Sequence, residues 1–154
     1  MNNKAVFAGT FDPFTLGHYE IVKRASEQFS TLYVAVSESG KNCKFSLKKR
    51  VRIAQLSLQS IPNVVVIPFK GFLVDFMKEN GITVYVRGLR NSMDFEYERN
   101  LYLAYKSQDE KIEGVFYMSS PQNVHISSTL VREILAFDGD VSKYVVADAI
   151  PEIK

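Results

Sequence analysis

The chain has 154 residues, a length typical of one domain, so we expect residues 1–154 to form a single domain with its own core. Hydrophobic residues make up 46% and charged residues 23% of the chain, which argues against a disordered, collagen-like or coiled-coil protein. The formal net charge of +2 provides no broad basic field, so we expect no nucleic-acid partner.

Short apolar runs rich in β-branched and aromatic residues alternate with helical patterns along the chain. The runs are nearly continuous, which is typical of strands buried on both faces of a parallel sheet; they lie at residues 5–8, 32–36, 64–69, 83–86 and 115–118. Helical spacing of apolar residues predicts a first helix through Ile21, Val22, Ala25 and Phe29, a second through Leu47, Val51, Ala54 and Leu58 with Ser46 as its cap, and three more at 72–80 (ended by Gly81), 92–107 and 128–137 (followed by Gly139).

This alternation predicts an α/β fold with a doubly wound, parallel five-stranded sheet. Ligands of such sheets bind beyond the carboxyl ends of the strands. The segments that follow residues 8, 36, 69, 86 and 118 are therefore the places to look for a site.

Cysteine content and the length of the apolar runs bear on the cellular compartment. The single cysteine, Cys43, excludes an intrachain disulfide and a multi-cysteine zinc site. The longest apolar runs are far shorter than the ~20 residues of a membrane-spanning helix. Gly9 and Asp12 interrupt the apolar run near the N-terminus before it is long enough for the core of a signal peptide. We therefore expect a cytoplasmic protein with no membrane partner.

The first predicted strand runs into Gly-Thr-Phe-Asp-Pro-Phe-Thr-Leu-Gly-His at residues 9–18, and a helix follows. Gly9 allows a close backbone approach or a positive φ, and Gly17 would let a phosphate lie near the helix N-terminus. His18 then falls in the first helical turn. A lone histidine there is more often structural, but the strand end and the two glycines favour a site. No dinucleotide-binding or P-loop glycine pattern is present, which disfavours those two enzyme classes.

Three further segments carry candidate anion-binding groups. Arg-Gly-Leu-Arg at residues 87–90 places two guanidinium groups at a strand end around a glycine turn, where they could bind phosphates or pair with acids at 94–98; the sequence leaves both open. Ser127, Ser128 and Thr129 could cap the next helix or bind phosphate. Residues 41–52 hold six Lys or Arg and no acid; we expect a mostly solvated face in which at least one cation meets an anion.

Taken together, G-T-F-D-P with T-x-G-H, then R-G-L-R, then I-S-S-T-x-x-R resemble the nucleotidyltransferase superfamily with a T/H-x-G-H signature, and within it the bacterial phosphopantetheine adenylyltransferases. The likeness spans almost the whole chain, including D-F-E-Y-E at 94–98 and G-D-V-S-K-Y at 139–144. The resemblance implies a Rossmann-like nucleotidyltransferase fold. It implies an enzyme that joins ATP and 4′-phosphopantetheine, with Mg²⁺, to give 3′-dephospho-CoA and pyrophosphate in coenzyme A biosynthesis.

The resemblance also implies roles for residues at matching positions. His18 would stabilise the transition state, and Lys41 would hold the acceptor phosphate. Other contacts to the acceptor would come from Thr10, Leu73 and Arg87. Contacts to ATP would come from Thr10, Phe11, His18, Gly88, Leu89, Arg90, Glu98, Asn123, Val124, His125, Ile126, Ser127, Ser128 and Thr129. No residue is assigned to a metal, a homohexamer is implied, and coenzyme A is left open as a feedback ligand.

Two departures from the family pattern leave details open. Val124-His125 stands where many members have an aromatic followed by a small residue, which leaves the adenine-side contacts open, and from the residues alone His125 is not expected to be catalytic. The loop at 40–44 is variable, so Lys44 is an alternative to Lys41.

Three phenylalanines, Phe69, Phe72 and Phe76, lie close together in the sequence. We expect at least two of them to pack in the core. Together with the family resemblance, this aromatic cluster leads us to expect assembly beyond a monomer.

The chemistry implied by the resemblance suits the residue types present. The acceptor is already a phosphate dianion, so positioning and charge neutralisation are needed rather than a strong base. The alternatives are another small-molecule nucleotidyltransferase, such as a glycerol-phosphate cytidylyltransferase or a nicotinamide-mononucleotide adenylyltransferase, and a non-catalytic nucleotide- or nucleic-acid-binding module that uses residues 41–52.

Overall fold

Five parallel strands form the central sheet of the structure, a computed structural model that describes residues 3–38 and 42–154. The strands are β1 (Lys4–Gly9), β2 (Thr31–Ser37), β3 (Val64–Phe69), β4 (Val84–Leu89) and β5 (Glu113–Met118), in the order β3-β2-β1-β4-β5. Every pairing is parallel, which confirms the predicted doubly wound sheet. The strand order reverses between β1 and β4, and this is the switch point at which such folds bind ligands.

All five predicted helices are present in the described residues, but the first ends at Ser26, so Phe29, which was predicted on its apolar face, lies buried beyond the helix. The helices are α1 (Leu16–Ser26), α2 (Leu47–Leu58), α3 (Leu73–Glu79), α4 (Ser92–Gln108) and α5 (Ser128–Ala136), followed by a 3₁₀ turn at Ala147–Ala149 and a short, unpredicted α6 (Ile150–Ile153). Ser46 caps α2, because its Oγ accepts a hydrogen bond from the Lys49 N–H at 3.3 Å, and Gly81 follows α3 with a φ of 64°. Among the described residues, no helix is long and apolar enough to cross a membrane.

The fourth strand continues three residues beyond its predicted end, so Arg87 and Gly88 lie within β4. The prediction of a glycine turn at Gly88 is therefore wrong. A Cβ at Gly88 would lie 3.1 Å from Cγ1 of Ile21, which is closer than real Cβ contacts normally come. The glycine leaves room for Ile21, through which α1 packs closely on the strand.

Apolar side chains from alternate positions of the strands fill two layers, one on each face of the sheet. One core holds Ile21, Val22, Ile53, Val86, Val131 and Val141, and the other holds Val6, Val74, Met77, Tyr85 and Ile112. Burial on both faces explains why the strands read as continuous apolar runs. Helix α4 packs on the second core through the partly buried Tyr102 and Tyr105, and Glu98 is its one buried residue.

Candidate active site

A cavity of about 560 Å³ opens at the carboxyl ends of β1 and β4, where the sequence predicted a site. Its walls come from the segments that follow β1, β2, β4 and β5, whereas the segment after β3 does not line it. The predicted site residues that line it are Thr10, Phe11, His18, Arg87, Gly88, Arg90, Glu98, Asn123, Ile126, Ser127, Ser128 and Thr129. The switch point thus brings most of the separate motifs to one place.

The remaining predicted site residues lie elsewhere. Leu73 and Leu89 are buried and do not line the cavity. Val124 and His125 are exposed and do not line it either. Lys41 lies outside the described residues. Their assigned contacts stay predictions.

The start of α1 fixes the position of His18. Thr15 is the N-cap, and its Oγ1 accepts a hydrogen bond from the His18 backbone N–H at 3.4 Å. In return, the Thr15 backbone N–H donates to His18 Nδ1 at 3.0 Å. This reciprocal pair is a capping box in which histidine takes the place of the usual Glu or Gln.

This arrangement also determines which nitrogen of His18 carries the hydrogen. Burial, assisted by the positive charges of Arg87 and Arg90, lowers the pKa of His18 from 6.5 to about 3, so the ring is neutral at neutral pH. Nδ1 is occupied as an acceptor from Thr15, so the hydrogen of the neutral ring resides on Nε2. The ring therefore offers one neutral N–H donor to the cavity that it lines.

The lowered pKa of His18 predicts a pH-dependent contribution to stability. The unfolded chain takes up a proton below about pH 6.5, whereas folded His18 does so only near pH 3, so folding is disfavoured as the pH falls through this window. His18→Asn, which has no titrating ring, should lose about 1–2 kcal/mol less free energy of unfolding than the wild type between pH 7 and pH 5. Urea titrations at both pH values measure this difference. Identical losses in the two proteins would contradict the lowered pKa.

Phe11 closes the wall beside His18. Its ring lies edge-on to the imidazole, with centroids 4.9 Å apart, and it is 4% exposed. The prediction left a positive φ open for Gly9, but it is Phe11 that has one, at 49°. Gly9 instead lets the Phe11 ring come close to the backbone, because a Cβ at Gly9 would lie 3.0 Å from Cζ of Phe11.

The two arginines of the 87–90 motif pair with acids and also line the cavity. Arg87 donates to Oε1 of Glu98 through Nε at 3.0 Å and Nη2 at 2.8 Å, and to the Ala8 carbonyl through Nη1 at 2.8 Å. Arg90 donates through Nε to Asp94 at 3.2 Å. The pairing with acids is confirmed, and phosphate binding stays a prediction, since a guanidinium has five N–H groups and these contacts leave some of them for an anion.

The segment from β5 to α5 is held in place from α1. The Glu20 carboxylate accepts hydrogen bonds from the Ser120 N–H at 3.1 Å, the Ser120 hydroxyl at 2.8 Å and Asn123 Nδ2 at 2.7 Å. Burial opposes ionisation of Glu20, but these bonds outweigh it and hold the pKa of that carboxyl below its usual value. Ser127 caps α5 by accepting from the Leu130 N–H at 3.1 Å. The start of α5 is thereby fixed against the cavity.

Two cavity residues, Asp12 and Arg132, received no role from the sequence. The Asp12 carboxylate accepts hydrogen bonds from the backbone N–H groups of Lys44 at 2.8 Å and Phe45 at 2.9 Å. Arg132 donates to the Asp12 carbonyl at 2.7 Å and to Thr129 Oγ1 at 3.2 Å. Both residues lie in the quoted motifs. Thr129 is only three residues from Arg132, but the contacts of Asp12 with Lys44, Phe45 and Arg132 join distant parts of the chain, so no local pattern could have revealed them.

The cavity thus collects a neutral histidine donor, three arginines and the starts of two helices at the switch point of a parallel sheet. Helix starts and guanidinium groups both bind phosphates. This fold and this site are those of a nucleotidyltransferase.

Comparison with known proteins agrees with this class. Residues 6–134 match the model of the family described as cytidylyltransferase-like. A phosphopantetheine adenylyltransferase of Tolumonas auensis is 42% identical over 100% of this chain and 94% of its own length. One of Helicobacter pylori strain G27 is 44% identical over 99% of this chain and 98% of its own length. The chain therefore belongs to the cytidylyltransferase-like family and, within it, to the phosphopantetheine adenylyltransferases, which confirms the resemblance seen in its motifs.

A solved structure supports the fold alone. A candidate nicotinate-nucleotide adenylyltransferase of Vibrio parahaemolyticus superposes with a TM-score of 0.76 at 16% identity, over 99% of this chain and 92% of that one. The Rossmann-like nucleotidyltransferase architecture is confirmed by this match.

Proposed function

We propose that this chain transfers the adenylyl group of ATP to 4′-phosphopantetheine, giving 3′-dephospho-CoA and pyrophosphate in coenzyme A biosynthesis. The observation that carries the proposal is the neutral N–H donor of His18 facing a cavity shared with Arg87 and Arg90. Relatives named phosphopantetheine adenylyltransferase, which are 40–44% identical and are covered over at least 94% of their length, support the choice of substrates.

The proposed reaction is a substitution at the α-phosphorus of ATP. An oxygen of the acceptor phosphate attacks, the bond from the α-phosphorus to the bridging oxygen breaks, and pyrophosphate leaves with that oxygen. The phosphate nucleophile is already ionised, so no residue needs to act as a base. His18 donates to the α-phosphate oxygens as they gain charge, and Arg90 with the start of α5 holds the leaving phosphates.

The donor set of the cavity fits a magnesium ion that is held mainly by the nucleotide. Among residues 3–38 and 42–154, no group of three or more His, Cys, Asp or Glu side chains could hold a metal ion. The cavity carboxylates of Asp12, Asp94 and Glu98 already accept hydrogen bonds from N–H groups. Mg²⁺ usually binds through substrate phosphates and few protein ligands, and when bound it would neutralise phosphate charge.

Lys41→Ala is expected to weaken binding of the acceptor far more than binding of ATP. Loss of a charge-assisted contact to a phosphate costs about 1.5–3 kcal/mol, which corresponds to roughly ten- to a hundredfold in the acceptor KM. Steady-state kinetics with each substrate varied in turn measures the effect, and Lys44→Ala is the matched control. An acceptor phenotype in Lys44→Ala instead would move the assignment by three residues.

We also propose that the enzyme assembles beyond a monomer, as a homohexamer, in the cytoplasm. Phe69 and Phe76 pack together with ring centroids 5.5 Å apart, as expected for two of the three clustered phenylalanines, but Phe72 is 74% exposed. Met93 and Tyr97 on α4 are also exposed, at 80% and 64%. Exposed large apolar side chains support a contact surface. Light scattering at micromolar concentration should give several chain masses, and a mass of one chain would contradict the assembly.

Pyrophosphate release from ATP that depends on 4′-phosphopantetheine is the test of the proposed function. Matched reactions contain CTP in place of ATP, or glycerol phosphate or nicotinamide mononucleotide in place of the acceptor. Turnover with ATP and 4′-phosphopantetheine alone is the expected result. Turnover only with another pair would identify a different nucleotidyltransferase, and nucleotide binding without any turnover would favour a non-catalytic module.

A further inference from the structure

Arg50 is a buried cation in α2 that the proposed chemistry does not use. It is 3% exposed, yet no described Asp or Glu lies close enough to form an ion pair with it. Its guanidinium instead bonds to backbone carbonyls of the described residues: Nε donates to Phe45 at 3.2 Å, and Nη1 donates to Thr10 at 2.7 Å and to Ser37 at 2.9 Å. A buried charge is costly to maintain, so this placement calls for a role.

The three carbonyls belong to three separate parts of the chain. Thr10 follows β1, Ser37 ends β2, and Phe45 lies just before the cap of α2. Phe45 is held from both sides, because its carbonyl accepts from Arg50 while its N–H donates to the Asp12 carboxylate at 2.9 Å. Arg50 and Asp12 together therefore fix the geometry of the chain where β1, β2 and α2 meet.

This junction forms one wall of the cavity. Thr10, Asp12, Asn42 and Cys43 line it on the side of β1 and β2. Arg90 and the start of α5 line the cavity from other segments, those that follow β4 and β5. A triphosphate needs more donors than a monophosphate, so the segments after β4 and β5 suit the nucleotide. The wall at the junction adjoins Lys41 in sequence, to which the resemblance assigns the acceptor phosphate, so this wall suits the acceptor.

We propose that Arg50 is a positioning residue for the acceptor substrate, which it serves by fixing the Thr10 and Phe45 backbone at the wall of the cavity. This inference rests on the proposed function. The planar guanidinium reaches three carbonyls at once, which the single ammonium of lysine could not do in the same geometry. The role depends on directed hydrogen bonds and not on charge alone.

The test compares Arg50→Met and Arg50→Lys with the wild type and with Arg52→Met. Arg52 lies on the same helix but is half exposed and 3.9 Å from Glu152, so its loss controls for removal of a cation from α2. KM for 4′-phosphopantetheine, KM for ATP and kcat are measured for each protein, and urea titration measures stability. Both Arg50 variants should raise the acceptor KM about tenfold or more and leave the ATP KM within about threefold, because the displaced groups lie on the acceptor wall.

Several outcomes would overturn this role for Arg50. For Arg50→Met, these are equal increases in the two KM values, or reduced stability with unchanged kinetics. A wild-type acceptor KM in Arg50→Lys, or an acceptor defect of the same size in Arg52→Met, would also contradict it. So would failure of both Arg50 variants to fold. Absence of turnover in the wild type is a separate result, which would overturn the proposed function and the acceptor role of Arg50 with it.

Discussion

His18→Asn is expected to lower kcat by roughly 10²–10³ while ATP binding stays close to that of the wild type. The side-chain oxygen of Asn can still accept the Thr15 N–H, so the start of α1 is preserved. What the variant loses is the Nε2–H donor, which is needed most when the α-phosphate oxygens gain charge. A contact that is stronger in the transition state than in the ground state affects kcat rather than affinity.

Calorimetric ATP binding beside steady-state kcat measures this separation, after circular dichroism has shown that the variant is folded. His125→Asn is measured beside it, because it changes the other histidine of the chain, an exposed predicted ATP contact whose loss should affect ATP binding rather than kcat. A folded His18→Asn that keeps more than about a third of the wild-type kcat has lost under ~1 kcal/mol and would rule out the transition-state role. Lys41 and Arg90 would then be left as the main groups acting on the phosphates.

Glu98→Ala is expected to lower the free energy of unfolding by about 3 kcal/mol. Glu98 is 5% exposed, and its Oε1 accepts two N–H groups of Arg87, so its removal leaves a largely enclosed guanidinium without its counter-charge. The value is at the low end for a broken buried pair, because water in the cavity can reach Arg87. Freed Arg87 should also move, which raises the KM of the substrates that it contacts.

Urea titration of Glu98→Ala is compared with that of Asp94→Ala. Asp94 lies one turn earlier on α4 and pairs with Arg90, but both side chains are more exposed, at 27% and 43%. An exposed pair contributes about 0–1 kcal/mol, so this control should change stability little. Equal losses in the two variants would show that burial of the Arg87–Glu98 pair is not what stabilises it.

The elements and the site region were predictable because their signals are local. Continuous apolar runs marked all five strands. Ser46 marked the start of α2 because it accepts a hydrogen bond from Lys49, three residues further on, and Gly81 marked the end of α3 because it adopts a positive φ. The rule on strand carboxyl ends then identified the cavity. The error at Gly88 has the same origin, because a glycine needed for packing against α1 looks the same in sequence as one needed for a turn.

By itself, the sequence determined the fold class, the order of the segments that line the cavity and the family, since each of these depends on periodicity and motif spacing. Only the tertiary structure decided the protonation of His18, the pairing of Arg87 with Glu98, and the contacts of Glu20, Asp12 and Arg50. Burial, desolvation and hydrogen bonds between residues as far as 120 positions apart depend on the folded geometry, which no local pattern contains.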